Sequence, residues 1–153
     1  MRMIQPGNAV EWENVRELFR EYWVSFGFSP CFQDFESEVA ALPGAYAPPG
    51  GALVVAQIDG QDAGCAALRR FDARRGEAKR LYVRPQFRGR GVGRALLGWV
   101  IAEARALGYL EIVGDTIPQM SVALGMYDRA GFERTAPYAD VPTPGAIYLR
   151  LKL

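Results

Sequence analysis

The sequence predicts an α+β fold: one mixed, mostly antiparallel sheet flanked by helices, containing a single parallel strand–helix–strand unit. Two observations carry this. Short apolar runs separated by turn residues fill the stretch before Pro85, whereas after it the apolar period lengthens from two to 3.6. Half of the 153 residues are apolar, and a chain of that size buries roughly 70 % of its unfolded surface, which suits one core and a single domain over 1–153.

Residues 1–5 form a short first strand ended by Pro6 and Gly7. Asn8 fits a helix N-cap with Glu11 three residues on, and Val15, Leu18, Phe19, Tyr22 and Phe26 follow at helical spacing. Phe32, Phe35, Val39 and Leu42 share one face of a shorter helix over 32–42, stopped by Pro43 and Gly44, and 43–51 is a Pro/Gly loop. Residues 53–58 and 64–71 read as strands about Asp59 and Gly60, a pair suited to the positive φ angles of a tight hairpin turn. A third strand covers 77–83. Val92, Leu96, Val100 and Leu107 then mark the clearest helix, 91–107, with Gly108 at its C′ position. A strand over 109–115, a helix over 121–130 closed by Gly131, and a strand over 146–153 complete the order. The unit 77–83, 91–107, 109–115 is expected to cross over right-handedly, making its two strands parallel neighbours.

Acidic and basic side chains nearly cancel, at a formal +1, so no whole-molecule field draws the chain to nucleic acid or an anionic membrane. Cys31 and Cys65 make no metal spacing, and without histidine a zinc site lacks its usual ligands. Both thiols read as reduced and no metal is expected. Residues 1–10 carry no signal-peptide pattern and no run approaches the roughly 20 apolar residues of a membrane span, so a cytoplasmic location is the expectation.

Chemistry is expected between the third strand and the long helix, at Gln86-Phe87-Arg88-Gly89-Arg90-Gly91-Val92-Gly93-Arg94. Glycines at alternate positions let backbone N–H groups turn toward one point at a helix N-terminus, where unpaired donors and the helix dipole favour an anion such as a phosphate. The dipole contributes about 0.3–2 kcal/mol, and Arg88, Arg90 and Arg94 add charge-assisted hydrogen bonds. A phosphate-binding P-loop is excluded, because no Lys-Ser or Lys-Thr pair follows. The dinucleotide fingerprint G-x-G-x-x-G fails too, since its third glycine falls on Arg94 or Leu96. A tight turn with solvated arginines remains the plain alternative.

Leu81-Tyr82-Val83-Arg84-Pro85, then Arg88-x-x-Gly91-x-Gly93, then Met126-Tyr127-Asp128-Arg129-Ala130-Gly131-Phe132 resemble the GNAT superfamily of acyl-CoA-dependent N-acetyltransferases. Its signature, [RQ]-x-x-G-x-[GA] after the fourth strand, is joined downstream by a Leu/Met-Tyr…Gly-Phe helix end, and both occur in order. The likeness covers 77–132 by motif and the rest by element order. It implies acetyl-CoA as acyl-donor cosubstrate, with the pantetheine arm on the backbone of Leu81, Tyr82 and Val83 and the pyrophosphate on the N–H groups of Arg88, Gly89, Arg90, Gly91, Val92, Gly93 and Arg94. Many members carry Asn where this chain has Met120; Ser121 is the candidate replacement for that contact.

The resemblance also implies that Tyr127 directs its hydroxyl at the coenzyme sulfur and protonates the departing thiolate; a core tyrosine on the Ala123, Tyr127, Ala130 face is the plain alternative. An amine of pKa near 10.4 is neutral in fewer than about one molecule per thousand at pH 7, a handicap of roughly 4–5 kcal/mol, so a proton acceptor helps. Without histidine the acceptor is a carboxylate, a water relayed by one, or the thiolate product side of the exchange. Glu77, where the family often places a glutamate base, is the first candidate and Asp115 the second; a strand-end charge and a turn cap are their plain alternatives. Tyr22, Trp23, Phe26, Phe28, Phe32, Phe35 and Tyr46 make the acceptor side aromatic, mostly as core and in part as walls able to attract an ammonium. Cys31 and Cys65 are expected to pack. The function expected is acetyl transfer to a small-molecule or peptide amine by direct attack in a ternary complex, with no nucleic-acid or membrane partner and with a homodimer left open. A non-catalytic acyl-CoA sensor of the same fold is the alternative, and a nucleic-acid binder using the Arg-Gly stretch is disfavoured by the near-neutral charge.

Overall fold

Asn8 opens the first long helix as its residue type requires: its Oδ1 accepts from the Glu11 backbone N–H at 2.9 Å, while Glu11 Oε2 accepts from the Gly7 N–H at 2.7 Å. The computed structural model describes residues 1–25, 35–118, 120–138 and 145–153. Strand β1 (Arg2–Ile4) precedes that helix, α1 (Ala9–Ser25), and α2 (Phe35–Ala40) follows it. The expected stretch 26–34, with Phe26, Phe28, Phe32 and Cys31, lies outside the described residues. Then come β2 (Ala52–Ile58), β3 (Gln61–Arg70), β4 (Arg75–Val83), α3 (Val92–Ala106), β5 (Glu111–Thr116), α4 (Ser121–Arg129), β6 (Glu133–Arg134) and β7 (Ile147–Lys152).

The seven strands form one sheet in the order β1-β2-β3-β4-β5-β7-β6, in which only β4 and β5 run parallel. Asp59 and Gly60 make the hairpin turn with φ of 50° and 75°. Alternation along the strands divides the core between the two faces. Val54, Leu68, Ile112 and Leu149 meet α3 through Val92, Leu96, Val100 and Ala104. Leu53, Val55, Cys65 and Ala67 meet α1 and α2 through Val15, Phe19, Trp23, Phe35 and Val39. Each fully buried side chain of this size contributes about 1.5–3 kcal/mol.

Three expectations shift. Leu107 is 36 % exposed, because the buried stripe of α3 continues at Ala104 and Leu107 is already the helix C-cap. Tyr109 and Leu110 precede β5: the Tyr109 N–H still reaches back to the Ala104 carbonyl at 3.1 Å, closing the turn that Gly108 makes with φ of 86°. The two-residue β6 carries no alternating pattern and was not expected from sequence.

Two irregularities in β4 set up the site. Cys65 pairs with Tyr82 and Ala67 with Lys79, so Arg80 and Leu81 together oppose Ala66 in a β-bulge, with Arg80 at φ of 56°. A left-handed conformation costs an L-residue about 1–2 kcal/mol. Further, β4 pairs with β5 only at Arg75–Glu111, Gly76–Ile112 and Glu77–Val113. Beyond them, residues 78–83 and 114–116 run on without pairing to each other. Among the described residues no helix is long and apolar enough to cross a membrane.

Candidate active site

The strand-to-helix turn folds as its glycines allow. After a 3₁₀ turn at Pro85–Phe87, Gly89 and Gly91 adopt φ of 76° and 80°, conformations costly for other residues. Gly91 is the N-cap of α3 and supplies no side-chain acceptor, so the first N–H groups of the helix face outward uncapped. A Cβ added at Gly91 would meet nothing within 4 Å, whereas one at Gly93 would meet Met126 Sδ at 3.3 Å and Val83 Cγ2 at 3.6 Å. Gly91 therefore borders open space, and Gly93 lets α3 approach α4 and β4.

That space is a cleft of about 1570 Å³ between the end of β4, the start of α3 and α4. Leu81, Tyr82, Val83, Arg88, Gly91, Val92, Gly93, Arg94 and Ser121 line it, which brings together most of the residues expected to meet a coenzyme. Gly89 and Arg90 lie outside this lining, and the Arg90 guanidinium sits 5.7 Å from the Phe87 ring centroid. The Val83 carbonyl already accepts from Arg88 Nε at 3.0 Å. Leu97, Gly98, Ile101 and Arg129 complete the wall. Their signal is helical: 94, 97, 98 and 101 recur on one face of α3. An elongated ligand with a diphosphate fits this cleft, which offers apolar walls, uncapped helix donors and the cations Arg88, Arg94 and Arg129.

Tyr127, expected at the coenzyme, is outside the cleft lining, although Ala123, Met126 and Ala130 of the same helical stretch belong to it. It is 8 % exposed and packs edge-on against Phe132 with ring centroids 5.2 Å apart. Burial, with smaller contributions from Tyr22 and the Asp115 carboxylate, raises its pKa well above the usual phenol value, which makes the hydroxyl a weaker acid than a free phenol.

The two candidate carboxylates stand on the α1/α2 face of the sheet in different surroundings. Glu77 is 3 % exposed. Its Oε1 accepts from Arg69 Nε at 2.7 Å and its Oε2 from the Tyr138 hydroxyl at 3.0 Å, with Lys79 Nζ at 3.4 Å. Burial raises its pKa, but the charges of Lys79 and Arg69 and the hydrogen bonds of Arg69 and Tyr138 outweigh this and hold it below the ordinary value. Asp115, at the end of β5 that pairs with β7 but no longer with β4, keeps 28 % of its side chain exposed and has Lys79 Nζ 3.4 Å away. Tyr22 stands edge-on to Tyr82 at 6.1 Å, its own pKa pushed up to about 12 by burial. Trp23, Phe35 and Tyr46 are core. Cys65 is buried and donates from Sγ to the Arg80 carbonyl at 3.4 Å.

Residues 12–132 match the acetyltransferase (GNAT) family. The chain belongs to that family. A curated relative, an uncharacterized N-acetyltransferase of Schizosaccharomyces pombe, is 36 % identical over 143 residues, covering 92 % of this chain and 88 % of its own. In fold, the GNAT chain is similar to an acetyltransferase of Streptococcus agalactiae, at a TM-score of 0.82 and 19 % identity over 99 % of this chain and 98 % of that one. It is likewise similar to a phosphinothricin acetyltransferase of Sinorhizobium meliloti solved in complex with acetyl-CoA, at a TM-score of 0.78 and 20 % identity over 99 % and 88 % of the two chains.

Proposed function

We propose that this GNAT acetyltransferase moves an acetyl group from acetyl-CoA to a primary amine of a small molecule or peptide, by direct attack with both substrates bound to one domain. The observation that carries the reading is the uncapped N-terminus of α3, with Gly91 left-handed at its cap, opening on a cleft beside the diverging β4 and β5. Arg88, Arg94 and the N–H groups of residues 91–94 are the diphosphate-holding groups. Leu81, Tyr82 and Val83 hold the pantetheine arm, and Ser121 stands where Met120 offers no hydrogen bond.

The bound thioester supplies an activated acyl carbon. As the amine nitrogen bonds to that carbon the C–S bond breaks, and the sulfur leaves with the bonding pair. Tyr127, a phenol and so protonated at neutral pH, donates its proton to that sulfur as negative charge builds there. Asp115 takes the proton released by the attacking nitrogen, because it retains solvent access while Glu77 is held ionised by Arg69, Lys79 and Tyr138. Glu77 acts through Lys79, which it fixes beside Asp115.

The test is thiol release from acetyl-CoA across a panel of small-molecule and peptide amines. Tyr127→Phe keeps the packing on Phe132 and loses the hydroxyl; turnover is expected to fall at least tenfold with coenzyme affinity unchanged within about twofold. Coenzyme binding without any amine-dependent thiol release would replace transfer by a sensing role.

A further inference from the structure

Arg80 is the bulge residue of β4, yet its side chain is one of the most heavily engaged in the protein. Nε and Nη2 form a bidentate pair with Glu38 of α2 at 2.8 and 2.9 Å, and only 12 % of the side chain is exposed. The guanidinium carbon lies 5.7 Å from the Tyr22 ring centroid, 5.8 Å from Trp23 and 5.5 Å from Phe35. A residue at φ of 56° is a position for glycine on backbone grounds alone. The contacts of the Arg80 side chain offset that backbone cost.

We infer that the Arg80–Glu38 clamp is a positioning device: helices α1 and α2, by gripping the bulge residue, set the direction in which β4 presents its backbone to the coenzyme cleft on the opposite face. The inference rests on the coenzyme reading of that cleft. Leu81, the second residue of the bulge, and Tyr82 and Val83 after it line the cleft. Loss of the bulge would shift their register by one residue and turn each backbone and side-chain group to the other side. An arginine held by two hydrogen bonds within three rings cannot leave the left-handed region without vacating its site. Glycine at this position tolerates bulged and regular pairing alike. The layer facing the acceptor thus determines how the donor strand is aimed, and Arg80 touches neither substrate.

The variants Arg80→Gly and Glu38→Gln, and the two combined, separate this from a plain turn role. Coenzyme A dissociation constants are measured by calorimetry, with circular dichroism and thermal melts to verify folding, and steady-state acetyl transfer is followed in parallel. Arg80→Gly, although it relieves the backbone, is expected to weaken coenzyme binding about tenfold; Glu38→Gln, remote from the cleft, about fivefold; and the double variant no more than the worse single one. KM for acetyl-CoA should rise in step while kcat at saturation stays within about twofold, because the bound coenzyme itself selects the bulged strand. Should Arg80→Gly fail to fold, Glu38→Gln and Arg80→Lys carry the same expectation of raised KM at preserved kcat. Wild-type affinity in folded Arg80→Gly or in Glu38→Gln, or additive effects in the double variant, would overturn the clamp. Wild-type protein that binds no coenzyme A would instead remove the reading beneath it.

Discussion

The Asp115 carboxylate and the Lys79 ammonium lie 3.4 Å apart just past the last position at which β4 and β5 pair. The same Nζ is 3.4 Å from Glu77, so one cation serves two carboxylates of opposite character. Glu77 is sealed and fully partnered; Asp115 is open.

Asp115→Asn removes the accessible proton acceptor while preserving shape. Turnover is expected to fall about 10²-fold, with coenzyme affinity little changed. Thiol-release kinetics beside calorimetry check it, and an Asn variant of normal turnover would take Asp115 out of the reaction.

Glu77→Gln strands the charge of Arg69 on the sheet and leaves Lys79 with Asp115 alone, at a cost of about 1–3 kcal/mol at neutral pH after discounting for the partial exposure of Arg69. At about 2–4 °C per kcal/mol for a chain of this size, the melting temperature drops by several degrees. The sign with pH follows from the lowered pKa. A depressed carboxyl stabilises the fold fully above its ordinary value of 4.5, and that contribution is lost as the pH falls through the lower folded value. Urea titrations at neutral and acid pH should show wild type converging on the variant in acid.

Gly64→Ala should destabilise more than Gly91→Ala, while only the latter acts mainly on the coenzyme. A Cβ at Gly64 collides with the Tyr82 carbonyl oxygen of β4, which cannot yield without moving the strand. At Gly91 the added methyl has space and meets only the cost of positive φ, about 1–2 kcal/mol. Denaturation midpoints and coenzyme affinities measured on both variants distinguish the two costs.

Burial pushes the Cys65 thiol up to about 12, so it should resist a thiol reagent at pH 8 until the chain unfolds. Labelling of a Cys31→Ser variant in native buffer and in denaturant reads this directly; rapid native labelling would show that β3 opens.

The parallel unit was legible because its signals are local and redundant: a period change after Pro85, a glycine cap at each end of α3, and two linked motifs. The α3 wall of the cleft was half legible, since Arg94 stood out by charge whereas Leu97, Gly98 and Ile101 belong to it only through helical geometry. The partition between Glu77 and Asp115 was illegible, because it depends on Arg69 across the β3–β4 register and on Tyr138, 61 positions away in sequence. The bulge at Arg80 left no mark either. Its compensations come from α1 and α2, and only tertiary structure brings them to that strand.

Among the described residues, three ladder positions and the bond from the Leu110 N–H to the Arg74 carbonyl at 2.8 Å make up the backbone seam between the β1–β4 half of the sheet and the half carrying β5, β7 and β6. The seam is short, and the cleft lies at its open end. Whatever wedges into that gap stiffens the join, so amide protons of residues 111–116 should exchange more slowly in loaded enzyme than in free.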